Sequence, residues 1–321
     1  MPPLQHRPLG ASGIEVPIVG IGCNNFGGRT DEERSERVIL AALDAGVTFF
    51  DTADLYSRGR SEEILGRVLR RRRDEAVIGT KFGGDMPGKD SGGGSRRWIV
   101  RAVEDSLRRL RTDRIDLYQH HFPDEATPIE ETLEALDELV RSGKVRAIGS
   151  SNYSGDQIAR AHEVAVDHGW SPFVTAQNQY SLLDRQEVEG AVTPVCERLG
   201  IGIIPFFPLA NGLLSGKYRR GQQAPEGSRL AGMADRSKEL MNDANFDVIE
   251  ALDGFASQRG VTLLDVAIGG LAAQSCVVSV IAGATSPEQV AANARAGEWV
   301  PSAEDMAEID RITRGRAPTL A

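Results

Sequence analysis

One unit recurs along this chain and constrains its fold more than anything else: a polar cap, a helix with apolar residues three and four apart, a glycine, and a short apolar strand. Thr30 to Glu33 reads as a capping box, with the Thr30 hydroxyl accepting from a free helix N–H while Glu33 reaches back. Val38, Ile39, Ala42 and Leu43 follow at helical spacing. Gly46 ends the helix by adopting the left-handed conformation, and Val47 to Phe50 is the strand. Thr127, Pro128 and Glu130 open a second copy, which stops at Gly143 before the strand Val145 to Ile148. Ser154 to Gln157 opens a third, closed by Gly169 ahead of Phe173 to Ala176. A fourth ends at Gly200 and leads into Ile201 to Ile204.

Strands without in/out alternation are buried on both faces, as in parallel sheets, and their alternation with helices indicates an α/β fold. Strands are expected near 18–21, 47–50, 76–80, 115–119, 145–149, 173–177, 201–205 and 277–282. That number favours a closed (β/α)8 TIM barrel. No Gly-x-Gly-x-x-Gly follows the first strand, which weighs against an open Rossmann sheet. Gly10, Ser12 and Gly13, set between short apolar stretches, predict an N-terminal β-hairpin. No linker divides the chain, so residues 1–321 are read as a single barrel domain. Two long loops are expected, Gly83 to Arg97 and Asn211 to Asn245. The run Arg70 to Arg73 reads as a solvated helix C-terminus.

The formal net charge of -9 argues against nucleic acid as a partner. Cys23, Cys196 and Cys276 lie far apart without metal-ligand spacing, so reduced thiols and no metal are expected. No secretory leader or long apolar run is visible, which points away from membranes and to the cytoplasm. The linear sequence sets no oligomeric state, because the surface patches of a folded chain decide it.

In such barrels the site lies where the strands end. Asp51 ends the second expected strand, with Tyr56 just beyond; Lys81 ends the third; Gln119, His120 and His121 end the fourth. A phenol with a pKa near ~10 is a poor acid at neutral pH. An adjacent Lys81 ammonium lowers that pKa by stabilising the phenolate, and Asp51 keeps the lysine charged. A histidine beside them orients a carbonyl. Such a site protonates a developing alkoxide, and since no amino acid donates hydride, a nicotinamide cofactor is implied. Asn25 and Phe26, beyond the first strand, and Trp98, after the glycine-rich loop, are candidate substrate contacts.

The words GIGCNNFGG, FFDTADLYSRGRSEEILG, GTKFG, SLRRLRTDRIDLYQHHFPD, KVRAIGSSNYS, AQNQYSLLDR, PLANGLLSGKY and IAGATSPEQVAAN occur in this order over nearly the whole chain. Together they resemble the aldo-keto reductases, including channel β-subunit-like members. The resemblance implies a catalytic tetrad of Asp51, Tyr56, Lys81 and His121, the family's His-x-Pro-Asp pattern selecting His121 over His120. It implies NADPH as cofactor, with NADH possible, and a small carbonyl substrate. Ser151, Asn152 and Gln177 match the residues that grip the nicotinamide carboxamide, and Phe206 the ring stacked on it. Leu209, Gly212 and Ser215 match the pyrophosphate loop. Gly283, Thr285, Ser286, Gln289 and Asn293 match the adenosine end, where Ser286-Pro287 also reads as a helix start. Some relatives carry Lys and Arg where this chain has Gly283 and Gln289. Two other readings are a Schiff-base lyase acting through Lys81 and a nicotinamide-nucleotide-binding sensor subunit with little turnover.

Overall fold

A computed structural model describes residues 4–84 and 92–314. The chain opens with β1 (His6–Pro8) and β2 (Glu15–Pro17), an antiparallel pair. Eight parallel strands follow: β3 (Val19–Gly22), β4 (Phe49–Asp51), β5 (Val77–Phe82), β6 (Ile115–His120), β7 (Val145–Ser151), β8 (Thr175–Gln179), β9 (Gly202–Phe206) and β10 (Val280–Gly283). Between them run α1 (Glu32–Asp44), α2 (Arg60–Leu69), α3 (Arg96–Leu110), α4 (Ile129–Arg141), α5 (Gly155–His168), α6 (Thr193–Leu199), α7 (Ala234–Leu240), α8 (Asp243–Gln258) and α9 (Leu263–Ala272). The last two helices are α10 (Pro287–Ala296) and α11 (Ala303–Thr313). The strands pair in the order β10-β3-β4-β5-β6-β7-β8-β9. The ring closes where Ile203 bonds the Cys276 carbonyl at 2.7 Å and Val278 bonds the Ile203 carbonyl at 2.9 Å. This is the expected (β/α)8 barrel with its N-terminal hairpin.

Period-two alternation divides the barrel interior into two layers. The lower layer is apolar, built from Phe49, Leu117, Ala147, Ile204 and Ile281. Leu9, Ile14 and Val16 from the hairpin region pack against it and plug the bottom. Gly10 makes that approach possible, because a Cβ there would lie 2.3 Å from the Val174 carbonyl oxygen. Further along the strands the inward positions turn polar: Asp51, Lys81, Gln119, Ser151 and Gln177. With the bottom sealed by apolar side chains, only the C-terminal end of the barrel is left for chemistry.

Local signals were read correctly at some caps and misread at others. Ser154 forms a full capping box with Gln157 on α5. Asp31, not Thr30, caps α1 by accepting from Arg34 N at 2.8 Å. The Thr30 hydroxyl turns inward to the Asn25 carbonyl and Ser35. α4 starts at Ile129 with no side-chain cap, and the Thr127 hydroxyl donates to Asp124 instead. The arginine run is not wholly solvated either. Arg73 reaches Asp116 at 2.6 Å and bonds the carbonyls of Ala76 and Arg114, tying the end of α2 to β6. Of the two expected loops, the second contains α7 and short 3-10 turns. The first includes residues 85–91, which lie outside the described part.

α2 packs on the end of α3 through Gly66, where a Cβ would stand 2.4 Å from the Leu110 carbonyl. Gly66→Ala is expected to lower stability by about 1–3 kcal/mol through overpacking, although alanine suits a helix better. Gly254, in α8, faces open space, so Gly254→Ala should instead raise stability by up to about 1 kcal/mol. Urea unfolding of the two variants measures both signs.

Candidate functional site

A cavity of about 620 Å³ opens at the C-terminal ends of the strands. At its floor the Asp51 carboxylate accepts from Lys81 Nζ at 2.7 Å through one oxygen. Its other oxygen accepts from Gln177 Nε2 at 2.8 Å and Gln119 Nε2 at 3.3 Å. Lys81 is fully buried; it also donates to the Thr52 carbonyl at 3.0 Å and approaches the Tyr56 hydroxyl at 3.5 Å. Burial alone would depress the Lys81 ammonium, but the Asp51 carboxylate and the Tyr56 oxygen hold it above the usual lysine range. The lysine is therefore a fixed cation. That removes the chemistry a Schiff-base lysine needs, a free amine facing an open pocket.

Tyr56 behaves differently from the sequence expectation. Burial raises its phenol above the ordinary value; Lys81 pulls it back, and Asp51 adds to the rise. In this cavity the phenol keeps its proton at neutral pH, and the lysine reduces the cost of losing it. The backbone after Tyr56 is unusual: Ser57 and Arg58 both adopt left-handed φ, 49° and 57°. The Ser57 hydroxyl bonds the Phe26 carbonyl at 2.9 Å, tying this turn to the loop after β3.

His121 sits edge-on to the Tyr56 ring at 6.0 Å and stacks on Phe122 at 4.4 Å. Burial, then the Lys81 charge and His120, push its pKa down to about 2, so it is neutral. Its Nδ1 is buried without a partner, which leaves Nε2 as its usable nitrogen. His120 points the other way. It bonds the Tyr153 hydroxyl at 2.7 Å and stacks on Phe82, and burial lowers its pKa to about 4.

Above this floor Asn152 takes a left-handed φ of 61° and donates through Nδ2 to the His121 carbonyl and to Ser151 Oγ. One amide thus fixes the ends of β6 and β7 against each other. Gln177 has its Nε2 committed to Asp51, and its carbonyl oxygen is the group left to it. Phe206 ends β9 and meets Phe207 edge-on at 5.3 Å. Beyond it Phe207, Ala210, Asn211 and Gly212 all carry positive φ, so the chain curls tightly over the cavity. Ser215 Oγ bonds the Gly212 carbonyl at 2.6 Å and holds that curl. At the far end Ser286 caps α10 with Pro287 in the first turn. Gln289 folds back so that its Oε1 accepts from Thr285 N at 2.8 Å.

The cavity gathers most of the residues singled out from sequence, including Asn25, Leu209, Gly283 and Asn293. Lys81 stands behind Tyr56, and Ser286 serves as a helix cap. Phe26 and Trp98, expected at a substrate pocket, do not reach the cavity. Both are packed in the hydrophobic core, Trp98 holding α3 to the barrel. Sequence reasoning missed Leu55, Phe122, Phe207, Lys217, Arg29 and Arg229 as lining residues. The first three adjoin flagged positions and were within reach of a rim argument. Arg229 lies inside a long loop whose path no local pattern reveals.

Fold and site together define a barrel oxidoreductase. The chain belongs to the aldo/keto reductase family, whose profile matches residues 18–314. It is 35% identical over 322 residues to an L-glyceraldehyde 3-phosphate reductase of Escherichia coli O157:H7, covering 96% of this chain and 92% of that protein. It is equally, 35%, identical over 323 residues to a probable voltage-gated potassium channel subunit beta of Oryza sativa subsp. japonica, covering 98% of each. Among solved structures, the holo form of an aldo-keto reductase from Bacillus halodurans superposes with a TM-score of 0.81 at 32% identity, covering 97% of both chains. No helix among the described residues is long and apolar enough to cross a membrane.

The two depressed histidines set a pH dependence. An unfolded imidazole takes up its proton near ~6.5, whereas His120 and His121 resist until about 4 and about 2. The stability they contribute is intact above pH ~6.5 and is lost as pH falls through the window below it. Imidazole nitrogen shifts at pH ~5.5 should show both rings neutral, and thermal stability should decline on further acidification. A ring that titrates near the free value would remove that histidine from the buried set.

Proposed function

We propose that this protein reduces an aldehyde or ketone to the alcohol using NADPH, with Tyr56 as general acid. The observation that carries this is the chain of contacts from Asp51 to Lys81, 2.7 Å, and from Lys81 to the Tyr56 hydroxyl, 3.5 Å, opening on a cavity that His121 also lines. The family of the chain supports it.

The cavity suits a nicotinamide dinucleotide. The Ser151 hydroxyl offers a donor, and Asn152 Oδ1 and the Gln177 carbonyl offer acceptors, for a carboxamide, and the Phe206 ring offers a face for stacking. The curl from Leu209 through Gly212 to Ser215, together with the N-terminus of α10, suits phosphates. Gly283, Thr285, Gln289 and Asn293 line the end left for the adenosine. When bound, the cofactor supplies the hydride. The residues of the chain do the rest. The neutral His121 donates from Nε2 to the substrate carbonyl oxygen and orients it. As charge builds on that oxygen, Tyr56 releases its proton to it. Lys81, kept charged by Asp51, stabilises the phenolate left behind. Because the free phenol is a weak acid here, the proton moves only when the alkoxide develops, which suits an acid needed in the transition state alone.

A nucleotide-binding role with little turnover is the second reading, favoured by the likeness to a probable channel subunit. Tyr56→Phe is expected to reduce kcat by at least about a hundredfold, the scale of general acid catalysis, while NADPH affinity by fluorescence titration changes little. A variant that keeps most of its kcat removes Tyr56 as the donor. A wild-type protein that binds NADPH tightly and turns over no carbonyl favours the second reading. Gln289→Arg is expected to tighten NADPH several-fold more than NADH through a charged contact with the 2′-phosphate; equal effects on both nucleotides place Gln289 elsewhere.

A further inference from the structure

The segment that carries Tyr56 rests on a second set of buried charges, which takes no part in the acid–base floor. Asp54 stands two residues before Tyr56 and is 1% exposed. Its N–H donates to the Lys81 carbonyl at 3.1 Å, which fixes its backbone against β5. Asp54 is not among the residues lining the cavity, and neither of its carboxyl oxygens makes a hydrogen bond of normal geometry.

Its neighbours are already engaged. Thr52 Oγ1 lies 2.9 Å from Ser61 Oγ, which docks this segment on the start of α2 beside Glu62. Glu62 is fully buried; it accepts from Thr80 Oγ1 at 2.6 Å and from Arg109 Nε at 2.6 Å. Arg109, from α3, runs beneath the turn that follows Tyr56: a Cβ at Gly59, φ 86°, would stand 2.7 Å from Arg109 Cδ. Tyr118, opposite Thr80 in the β5–β6 register, adds a buried hydroxyl that also lacks a partner. The charges on the surrounding elements are paired without Asp54. Asp51 of β4 holds Lys81 of β5, Glu62 of α2 holds Arg109 of α3, and Asp105 of α3 holds Arg108. The phenols of Tyr56 and Tyr118 and the Cys23 thiol are all raised by burial and neutral. Asp54 is the carboxyl left without a cation of its own. A buried carboxylate in that position is unfavourable, and the group keeps its proton instead. Burial first, and Glu62 second, raise its pKa to about 7, against Arg109, the Leu55 N–H and Lys81.

We propose that Asp54 is a positioning residue for Tyr56: as the neutral acid it lets the turn from Asp54 to Gly59 seat on Glu62 and Arg109, and on ionising beside Glu62 it unseats that turn and moves the phenol away from Lys81. The consequence for turnover rests on Tyr56 being the proton donor of a reductase. The stability this carboxyl contributes is fully present below its unfolded pKa near ~3.9, and it is lost as pH rises through about 7. The direction is opposite to that of His120 and His121, whose contribution is lost on acidification.

The test follows the Tyr56 ring itself. In protein labelled with 13C at tyrosine Cζ, the Tyr56 resonance is identified by its loss in Tyr56→Phe. It is expected to move with a midpoint of about 7 in the wild type and to stay fixed in Asp54→Asn. The phenol's own ionisation lies above this range. A resonance that stays fixed in the wild type, or that moves equally in Asp54→Asn, overturns the proposal. If Asp54→Asn does not fold, the 13C titration of the wild-type aspartate carboxyls decides. One carboxyl titrating near 7 supports the proposal, and ionisation of all of them below pH ~5 overturns it. With NADPH and an aldehyde, wild-type kcat is expected to fall about tenfold or more as pH rises through the same midpoint, the scale on which a misplaced catalytic group costs rate. The kcat of Asp54→Asn is expected to stay level there, and an equal fall in the variant overturns the proposal. The expected movement of Tyr56 without turnover of any aldehyde leaves Asp54 as the support of the turn and overturns only the reductase reading.

Discussion

The polar floor of the barrel hangs on one carboxylate. Asp51 accepts from Lys81 on one oxygen and from Gln177 and Gln119 on the other, so β5, β6 and β8 are all tied to β4 through a single side chain. A buried lysine without that partner would lose its proton or draw in water. With the partner, it becomes a permanent cation beneath the Tyr56 hydroxyl. The same cation helps to keep His121 neutral. Burial is what keeps both groups that face the cavity from the floor neutral; the lysine adds to this at His121 and works against it at Tyr56.

The rest of the architecture protects this arrangement. The apolar lower layer and the hairpin plug exclude water from below, so the charges meet solvent only through the mouth. The turn after Tyr56 and the curl from Phe207 to Gly212 both hold non-glycine residues in left-handed conformations. Backbone of that kind persists only where its surroundings over-determine it, and it gathers at functional sites. Here both segments border the same cavity. These torsions are compensated by contacts, from Ser57 to the Phe26 carbonyl across elements and from Ser215 to the Gly212 carbonyl within the curl.

Much of this was legible beforehand. The barrel followed from apolar strands alternating with helices, and the floor followed from polar residues at strand ends. The misread features share a cause. Thr30 carries a good cap residue's hydroxyl, but burial beside Asn25 and Ser35 offered it better partners, and Asp31 took the cap. Phe26 and Trp98 stand next to the rim in sequence, yet side-chain direction sends them into the core. Tyr56 was expected to be acidified by its lysine, whereas desolvation is the larger effect. In each case burial in the folded chain overruled a short-range pattern, through partners five residues away at Thr30 and through more distant ones at Phe26, Trp98 and Tyr56.

The amino-acid sequence by itself determined the element order, the parallel barrel and the residue types gathered at its mouth, because hydrophobic periodicity and strand-end position are local properties of the chain. Only the tertiary structure decided which nitrogen of which histidine faces the cavity, how burial and charge balance at Tyr56, and that Arg29 and Arg229, 200 positions apart in the chain, line one cavity. Desolvation and charge coupling depend on distances through space, and those exist only once the ring of strands has closed.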